Sequence, residues 1–326
     1  MVVVTGATGH IGNVLVHELL SRGEKVRVVI PPFEDTAPLD GLKVEMVEGD
    51  VRQIDSLLQA FKGGDVVYHL AGIISILPGK IKLLEQVNVM GTRNVIEACL
   101  KTGVRRLVYT SSIHAIAEPP HGTTIDETLP FDPDRAIGEY DRSKAQATLE
   151  VLQRVKQGLD AIIVCPTGVI GPYDFKPSEM GQLFIDFVKK KLKTYIDGAY
   201  DFVDVRDVAI GHILACEKGR PGESYLLSGE RITTADLMLM LEEITGVRAS
   251  RFKLPIWLAK VIVTFTPLYY TLTKTKPRFT KYSIRTLTSN SMISCEKARR
   301  ELGYSPRSTR ESIMDAICWF RENGKL

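Results

Sequence analysis

The chain is predicted to be an α/β protein with a doubly wound parallel sheet and a smaller, mostly helical C-terminal substrate lobe. Short β-rich runs alternate with helical patterns, a glycine turn joins the first run to the first helix, and the alternation loosens after Pro166. Strands joined by helices need right-handed crossovers, which build a parallel sheet covered on both faces. This pattern is typical of the Rossmann class of folds.

Each element of that fold follows from the spacing of apolar residues. Strands are predicted at Val2–Val4, Val26–Ile30, Val44–Val47, Val66–His69, Arg106–Tyr109, Ala161–Val164 and Ser224–Leu227. Helices are predicted at Ile11–Leu20, around Leu57–Phe61, from about Lys82 to Leu100, and at Tyr140–Val155, Met180–Lys191 and Ala235–Ile244. Residues 1–165 are assigned to a dinucleotide-binding domain, to which the chain returns around 202–230. Residues 166–201 and 231–326 are assigned to the substrate lobe.

Composition excludes several function classes. Of 326 residues, 44% are hydrophobic and 25% charged, as in ordinary globular proteins, and the formal net charge is only +3. The basic cluster Lys189–Lys191 with Lys193 is interpreted as a solvated helix face, so no nucleic-acid partner is expected. The five cysteines lack paired or metal-ligand spacing, which predicts a reducing compartment and no metal site. Because the first strand begins at Met1, no signal peptide is expected, and the protein is predicted to be cytoplasmic.

One stretch, Leu254 to Thr273, is mostly apolar and aromatic. Lys260 and Pro267 interrupt it and argue against a membrane-spanning helix. We expect a core or lid helix pair. Contact with a membrane surface, or an apolar wall for the substrate, are the alternatives.

The glycine turn Thr5–Gly12 predicts a dinucleotide site. Glycines allow a tight turn and close backbone approach, and the following helix N-terminus offers free N–H groups to a pyrophosphate. No Gly-Lys-Ser/Thr follows, so the turn is not a nucleoside triphosphate loop. The residues predicted to bind the cofactor here are Gly6, Thr8, Gly9, His10, Ile11 and Gly12.

A group of catalytic residues is predicted at the end of the strand Arg106–Tyr109 and on the helix Tyr140–Val155. Tyr140 and Lys144 are one helical turn apart, so a phenol and an ammonium share a helix face, and the positive charge favours the phenolate. Such a tyrosine can exchange a proton with a carbonyl or alcohol oxygen. Ser111 and Ser112 follow a strand at the sheet edge where open α/β sheets bind ligands.

The chain resembles the extended short-chain dehydrogenase/reductase superfamily, which includes NAD-dependent epimerases and dehydratases. The resemblance rests on the Gly-x-x-Gly-x-x-Gly spacing and on motifs in the expected order at Gly49–Val51, Leu70–Gly72, Asn88–Thr92, Cys165–Pro172, Phe202–Ala209 and Cys295–Arg307. It implies Ser112, Tyr140 and Lys144 as catalytic residues. It adds Asp50, Val51, Leu70, Ala71, Gly72, Asn88, Thr110, Tyr140, Lys144, Pro166, Thr167 and Val169 as cofactor contacts. Ser111, His114 and Gly168 are candidate substrate contacts, Asp207 is expected to secure a helix start, and a homodimer is implied.

The resemblance also narrows the reaction. Related dehydratases carry Asp-Glu after the strand-end Ser/Thr, whereas this chain has Ile113 and His114, so dehydration is set aside. The apolar stretch is poorly suited to a diphosphate-sugar. The ending Cys295–Arg307 resembles that of dihydroflavonol reductase-like and 3β-hydroxysteroid dehydrogenase-like proteins, and related epimerases share it. The leading hypothesis is NAD(P)-dependent reduction of a ketone or aldehyde, or oxidation of the alcohol, on a small to medium, partly apolar substrate. The alternatives are a nucleotide-sugar epimerase with tightly bound NAD and a catalytically silent dinucleotide sensor.

The choice between NAD and NADP depends on the end of the second strand. An acidic residue there selects NAD through the ribose 2′-OH, and an arginine selects NADP. The chain has Pro31 where related reductases often carry arginine, while Glu34 and Asp35 can serve NAD only if their loop folds back. The usual cofactor of the reductases that the chain resembles favours NADP, and NAD is kept as the alternative.

Overall fold

A computed structural model describes residues 1–74, 81–264 and 281–326 of the chain. Its strands are β1 Val2–Thr5, β2 Val26–Ile30, β3 Glu45–Glu48, β4 Val66–His69, β5 Arg106–Thr110, β6 Ala161–Pro166, β7 Gly168–Ile170, β8 Tyr195–Ile196, β9 Ala199–Asp204, β10 Ser224–Leu227, β11 Glu230–Thr233 and β12 Lys253–Leu254. Its helices are α1 His10–Ser21, α2 Ile54–Ala60, α3 Ile81–Leu84, α4 Gly91–Thr102, α5 Glu139–Val155, α6 Glu179–Val188, α7 Val205–Lys218, α8 Thr234–Thr245, α9 Ile256–Thr264, α10 Lys281–Leu287, α11 Glu296–Leu302 and α12 Thr309–Glu322. None of the described helices is long and apolar enough to cross a membrane.

The main sheet has seven strands in the order β10-β6-β5-β4-β1-β2-β3, and each neighbouring pair is parallel. The predicted doubly wound fold is confirmed. The strand order reverses beside β1, where β2 lies on one side and β4 on the other, so a crevice opens beyond their carboxyl ends. Strand β10 brings the chain back to the sheet beside β6.

The core has two layers because strand side chains alternate between the faces of the sheet. Val2 and Val4 pack on one face with residues of α1 and α7, whereas Val3 packs on the other face with residues of α2 and α4. Both faces are covered, which is why these strands are continuous apolar runs. Cys295 and Leu302 also pack against the first layer, so the segment around α11 joins the main core and not the substrate lobe.

The lobe has its own small sheet, in the order β11-β9-β7. It packs on α6, α8 and α12 through Phe184, Phe202, Leu241 and Phe320, all buried. Strands β7 and β11 were not predicted, because Gly168–Ile170 lies in the Gly/Pro-rich stretch after Pro166 and Glu230–Thr233 contains a single aliphatic residue.

Local details differ from the sequence-based expectations at two places. The first is the start of α7, where β9 ends at Asp204 and the helix begins at Val205. Asp204 caps α7 by accepting a hydrogen bond from the Arg206 amide, so the assignment of the helix start to Asp207 is wrong. Asp207 instead binds the guanidinium of Arg307 at 3.0 Å.

The predicted helix from about Lys82 to Leu100 is also interrupted. Between α3 and α4, the residues Glu85–Met90 form a π-helical turn. Such turns insert an extra residue into a helix and often lie at functional sites. Of the apolar stretch Leu254–Thr273, the structure describes β12 and α9, and its residues 265–273 lie outside the described part.

Candidate active site

The glycine turn lies in the crevice where the strand order reverses. Gly6 has a φ of +75°, and a Cβ there would lie 2.6 Å from the Ala71 amide nitrogen. A Cβ on Gly12 would lie 2.1 Å from the Gly6 carbonyl oxygen. Both contacts are far below van der Waals distance, so only glycine permits the chain to pass between α1 and the end of β4. The turn therefore requires glycine at these two positions.

The start of α1 fits a dinucleotide pyrophosphate. Its N-cap residue is Gly9, which has no side chain to satisfy the first amides of the helix, and its first turn carries no acidic residue. A Cβ on Gly9 would lie 3.3 Å from the Gly6 carbonyl, with no other contact inside 4 Å. Free amides and the positive end of the helix dipole together form an anion site. The cradle at Gly9 is open on the side that a phosphate would approach.

The neighbours of the turn close it on two sides. The His10 Nε2 atom donates to the Pro172 carbonyl oxygen at 2.8 Å, so the ring ties α1 to the loop after β7. The Thr8 hydroxyl donates to Glu34 at 3.2 Å, and Glu34 also forms an ion pair with Lys176. The loop after β2 thus folds back onto the glycine turn. Ile11, the second residue of α1, is partly buried and packs against the core.

The predicted strand-end contacts also meet at the crevice. Leu70 and Ala71 lie against Gly6, and the Ala71 amide donates to the Thr5 hydroxyl at 3.3 Å. Gly72 faces the catalytic helix, because a Cβ there would lie 3.5 Å from the Lys144 ammonium. These residues form the wall between the glycine turn and the predicted catalytic group.

Asn88, in the π-helical turn, connects that wall to α5. Its Oδ1 accepts from the Ile73 amide at 2.8 Å, and its Nδ2 donates to the Ile73 carbonyl at 3.1 Å and to the Ser143 hydroxyl at 2.9 Å. Both ends of the amide are therefore engaged by protein groups. In this structure Asn88 positions the loop after β4 relative to the helix bearing Tyr140.

The remaining predicted cofactor residues surround the crevice. Asp50 is buried, and Arg52 holds its pKa below the usual range through a bidentate pair. Val51 is also buried, and its carbonyl accepts from the Asn94 amide at 2.8 Å. Pro166 ends β6, Val169 lies in β7, and the Thr167 hydroxyl donates to Asp201 at 2.6 Å.

The two serines after β5 have different environments. Ser111 is 2% exposed and bonds the Thr148 hydroxyl at 2.6 Å, so it faces the body of α5. Ser112 begins the 3₁₀ turn Ile113–Ala115, where its hydroxyl accepts from the His114 amide, and it lies beside Tyr140. The geometry favours Ser112 as the serine that faces the substrate.

Tyr140 is in the first turn of α5 and is 7% exposed. Burial raises the pKa of its phenol to about 12, while hydrogen bonding by Ser112 acts in the opposite direction. The phenol is therefore neutral at pH 7 in the cofactor-free protein. The expected stabilisation of the phenolate by Lys144 does not determine this pKa, because burial is the largest influence on it.

Lys144 is almost completely buried beneath the crevice. Its ammonium donates to the Thr110 carbonyl at 2.7 Å and lies 5.2 Å from the centre of the Tyr109 ring. Burial lowers its pKa to about 8. The Thr110 hydroxyl bonds His212 Nε2 at 2.8 Å, and since His212 Nδ1 donates to the Val208 carbonyl, Thr110 is the donor in that pair. The end of β5 is thereby fixed around the ammonium.

A narrow pocket lies beside Asp141, the residue that follows Tyr140. Its free volume is about 40 Å³, room for a few water molecules, so a larger substrate requires its walls to move. Six of the fourteen described lining residues are aliphatic and the others are polar or aromatic: Ile113, His114, Ile116, Glu118, Ile125, Arg135, Ala136, Ile137, Asp141, Tyr200, Thr286, Ser289, Asn290 and Ile293. Among the predicted substrate residues, His114 lines the pocket. Gly168 lies beneath the Tyr200 ring, where a Cβ would be 2.8 Å from a ring carbon.

Two polar pairs at this pocket were not predicted. His114 Nε2 bonds the Tyr200 hydroxyl at 2.7 Å, and the Tyr282 hydroxyl donates to Asp141 at 2.6 Å. Burial raises the pKa of Asp141, and the Gly138 amide and Tyr282 hydroxyl partly oppose this. The pairs join residues 86 and 141 positions apart in the chain, so no local pattern could have indicated them. Through Tyr282, α10 closes the pocket against the catalytic helix.

Comparison with known proteins agrees with this geometry. The sequence model of the NAD dependent epimerase/dehydratase family matches residues 2–228. The chain is 41% identical to the sterol demethylase protein B of Methylococcus capsulatus, over 99% of both chains. It is 32% identical to a putative dihydroflavonol 4-reductase of Synechocystis sp., over 98% of this chain and 94% of the relative. The crystal structure of gox2253 is similar over 100% of this chain and 99% of that one, with a TM-score of 0.89 and 35% identity.

Proposed function

Because the chain belongs to the NAD dependent epimerase/dehydratase family, we propose that it is a nicotinamide-dependent enzyme that interconverts a ketone or aldehyde with the corresponding alcohol on a partly apolar substrate. One observation carries the proposal. Ser112, which follows β5, hydrogen-bonds with Tyr140 of α5, and the residues next to them in the chain, Ile113 and Asp141, line a pocket with aliphatic and polar walls.

The roles of the side chains follow from their protonation and contacts. When bound, the nicotinamide ring supplies or accepts the hydride. Tyr140, neutral in the free protein, is in the form that donates a proton to a carbonyl oxygen, and Ser112 orients that oxygen. Lys144, one helical turn after Tyr140 on α5 and held by the Thr110 carbonyl, supports the phenolate after proton transfer.

The pocket supports a substrate with apolar rings. Ile113, Ile116, Ile125 and Ile293 supply aliphatic contacts, while Arg135 is exposed at the rim. A sugar diphosphate is held best by several charge-assisted hydrogen bonds, and Arg135 is the one arginine or lysine in the described lining. The names of two relatives refer to a sterol and a dihydroflavonol, both ring compounds with oxygen functions. We therefore place the substrate among cyclic secondary alcohols and ketones.

For the cofactor, the folded-back position of Glu34 supports NAD over NADP. Its carboxylate lies at the glycine turn, hydrogen-bonded by Thr8 and paired with Lys176. A carboxylate in this place repels a ribose 2′-phosphate and accepts from a 2′-hydroxyl. Glu34 would thus supply the negative charge that the strand end lacks at Pro31.

Replacement of Tyr140 with phenylalanine tests the catalytic role. Tyr140→Phe keeps the buried ring and removes the proton donor, so we expect kcat to fall about 10²- to 10⁴-fold while NADH binding, followed by fluorescence titration, is unchanged. Tyr225→Phe is the matched control, because that hydroxyl bonds Glu301 remote from the crevice. Turnover of cyclic ketones by Tyr140→Phe at the wild-type rate would refute the role.

A substrate comparison distinguishes reduction from epimerisation. The purified protein is assayed with NADH and a panel of cyclic ketones, and separately with UDP-hexoses. We expect NADH consumption with ketones. Conversion of a UDP-hexose by tightly held NAD, without net change in absorbance of the nicotinamide, would instead identify an epimerase.

Replacement of Glu34 tests cofactor preference by binding as well as activity. Wild-type protein is expected to be stabilised against thermal unfolding more by NADH than by NADPH. Glu34→Gln frees Lys176 and should shift the ratio of the two dissociation constants about tenfold toward NADPH, whereas Asp35→Asn should not. Tighter binding of NADPH by the wild type would contradict the assignment.

A further inference from the structure

We propose that the outer face of α9, together with the basic residues beside it, docks the protein on the surface of an anionic lipid bilayer. The docking surface consists of Phe252, Trp257, Val261 and Ile262 as its apolar part, and Lys190, Lys193, Arg248 and Lys260 as its basic part. None of these residues belongs to the crevice or the pocket described above.

Large apolar side chains are exposed along this short segment. Phe252 is 77% exposed, Trp257 67%, Val261 50% and Ile262 46%. These side chains are not needed to pack α9 against the protein, because the inner face of the helix does this through the buried residues Ala259 and Val263. Trp257 and Val261 are one helical turn apart and lie on the same outer face. Four large exposed apolar residues within eleven positions form a patch that monomeric proteins rarely leave in water without a function.

Positive charge borders the patch. A groove of about 630 Å³ is lined by Lys190, Lys193 and Arg248 and also by Phe252, so the basic part adjoins the apolar part at Phe252. Within the described ranges no carboxylate pairs with these three cations, whereas Arg251 is compensated by Glu242 and Lys253 by Asp197. Lys260 is exposed on α9 itself. The surface therefore carries net positive charge beside apolar and aromatic side chains.

This combination fits an anionic bilayer better than other partners. An aromatic and aliphatic helix face with a basic rim inserts shallowly, because the apolar side chains enter the acyl boundary while lysine and arginine meet the headgroups. A second copy of the chain would bring the same cations against each other, which costs energy. A nucleic acid would use the cations but not the aliphatic side chains Val261 and Ile262.

The docking surface is one helix away from the pocket. The buried face of α9 packs on Ile284 of α10, and Thr286 of the same α10 lines the pocket beside Asp141. If the substrate is apolar, which is part of the proposed function, docking would place the movable wall of the pocket at the lipid surface. Vesicle binding itself does not depend on that function, so the two inferences fail separately.

Vesicle flotation tests the proposal. The full-length protein is mixed with phosphatidylcholine vesicles containing either no anionic lipid or roughly 30% phosphatidylglycerol. We expect flotation with the anionic vesicles, weakened as salt rises from about 0.05 to about 0.5 M, and little with the neutral ones. Replacing Lys190, Lys193 and Arg248 together with glutamine should weaken binding about a hundredfold, that is about fivefold for each cation.

Matched variants separate the surface from general charge effects. Glutamine at Lys25, Lys43 and Lys62 removes the same net charge elsewhere and should leave flotation within about twofold of wild type. Val261→Asp should reduce flotation at least tenfold, whereas Met314→Asp, at a residue exposed to 47%, should not.

Three results would overturn the proposal. The first is failure of wild-type protein to bind anionic vesicles while it remains folded by circular dichroism. The second is equal loss of binding in the test and control variants. The third is a concentration-dependent dimer in sedimentation velocity that Val261→Asp dissociates, which would assign the surface to a second copy of the chain.

Discussion

Replacement of Lys144 with methionine is expected to stabilise the cofactor-free protein while it removes activity. Lys144 is 6% exposed, and burial lowers the pKa of its ammonium from 10.5 to about 8. That difference corresponds to a cost of about 3 kcal/mol of folding free energy at neutral pH. Methionine avoids this cost, but it leaves the Thr110 carbonyl without its hydrogen-bond donor. The loss of that hydrogen bond lowers the free energy of unfolding by about 1–2 kcal/mol. A net gain of about 1–2 kcal/mol follows.

The pH dependence identifies the source of that gain. Below pH 8 the ammonium is charged in both the folded and unfolded chains, so its burial cost is fully present. Between pH 8 and 10.5 the unfolded chain binds more protons than the folded one, so wild-type stability rises with pH across this window. The advantage of Lys144→Met should therefore be largest near pH 7, vanish between pH 8 and 10.5, and become a deficit of about 1–2 kcal/mol by about pH 10.5, where only the lost hydrogen bond to the Thr110 carbonyl remains.

Urea unfolding of the wild type and of Lys144→Met, at neutral and at alkaline pH, measures the effect. Lys101→Met serves as control, because Lys101 is exposed and only pairs with Glu97 along α4; it should change stability by less than about 0.5 kcal/mol at either pH. The interpretation that burial of the Lys144 ammonium destabilises the fold would be refuted in either of two cases. In the first, Lys144→Met is less stable than wild type at neutral pH; in the second, its gain in free energy of unfolding does not decrease as the pH rises.

Two further predictions concern the glycine turn and the serines. Gly12→Ala should weaken NADH binding at least a hundredfold in a thermal-shift titration, because the added Cβ would lie 2.1 Å from the Gly6 carbonyl oxygen. Gly23→Ala is the control, because a Cβ there would have no atom within 4 Å. This variant should leave NADH binding unchanged and destabilise the fold by about 1 kcal/mol. Ser112→Ala should lower kcat about tenfold or more. Ser111→Ala should instead cost about 1 kcal/mol of stability with kcat retained, and the opposite pattern in steady-state kinetics would reassign the substrate-facing serine.

The sequence was sufficient for those parts of the site that depend on local pattern. The spacing of glycines between a strand and a helix predicted the turn. The parallel sheet, which is confirmed, was predicted because segments with the apolar pattern of strands alternate with segments that have the 3.6-residue apolar period of helices. The four-residue spacing of Tyr140 and Lys144 put them on one helix face. The serine pair at a strand end needed only the rule that ligands bind beyond carboxyl ends of strands.

Long-range contacts were beyond sequence reasoning. The partners of Asp141 and His114, namely Tyr282 and Tyr200, come from other parts of the chain, and hydrogen bonds between them depend on how the lobe packs. The pKa of Tyr140 depends on total burial, which no four-residue spacing reveals. The return of Glu34 to the glycine turn likewise depends on the loop after β2.

The π-helical turn Glu85–Met90 has a consequence for chain length at this point. Each residue of an α-helix turns the chain by about 100° around the helix axis. Deleting one residue between Glu85 and Met90 would turn this segment into a regular α-helix. The residues before the deletion, including α3, would then be rotated by about 100° around the helix axis relative to α4. Asn88 could then no longer reach both Ile73 and the Ser143 hydroxyl. A deletion of one residue in this turn would therefore anchor α5 differently against the loop after β4.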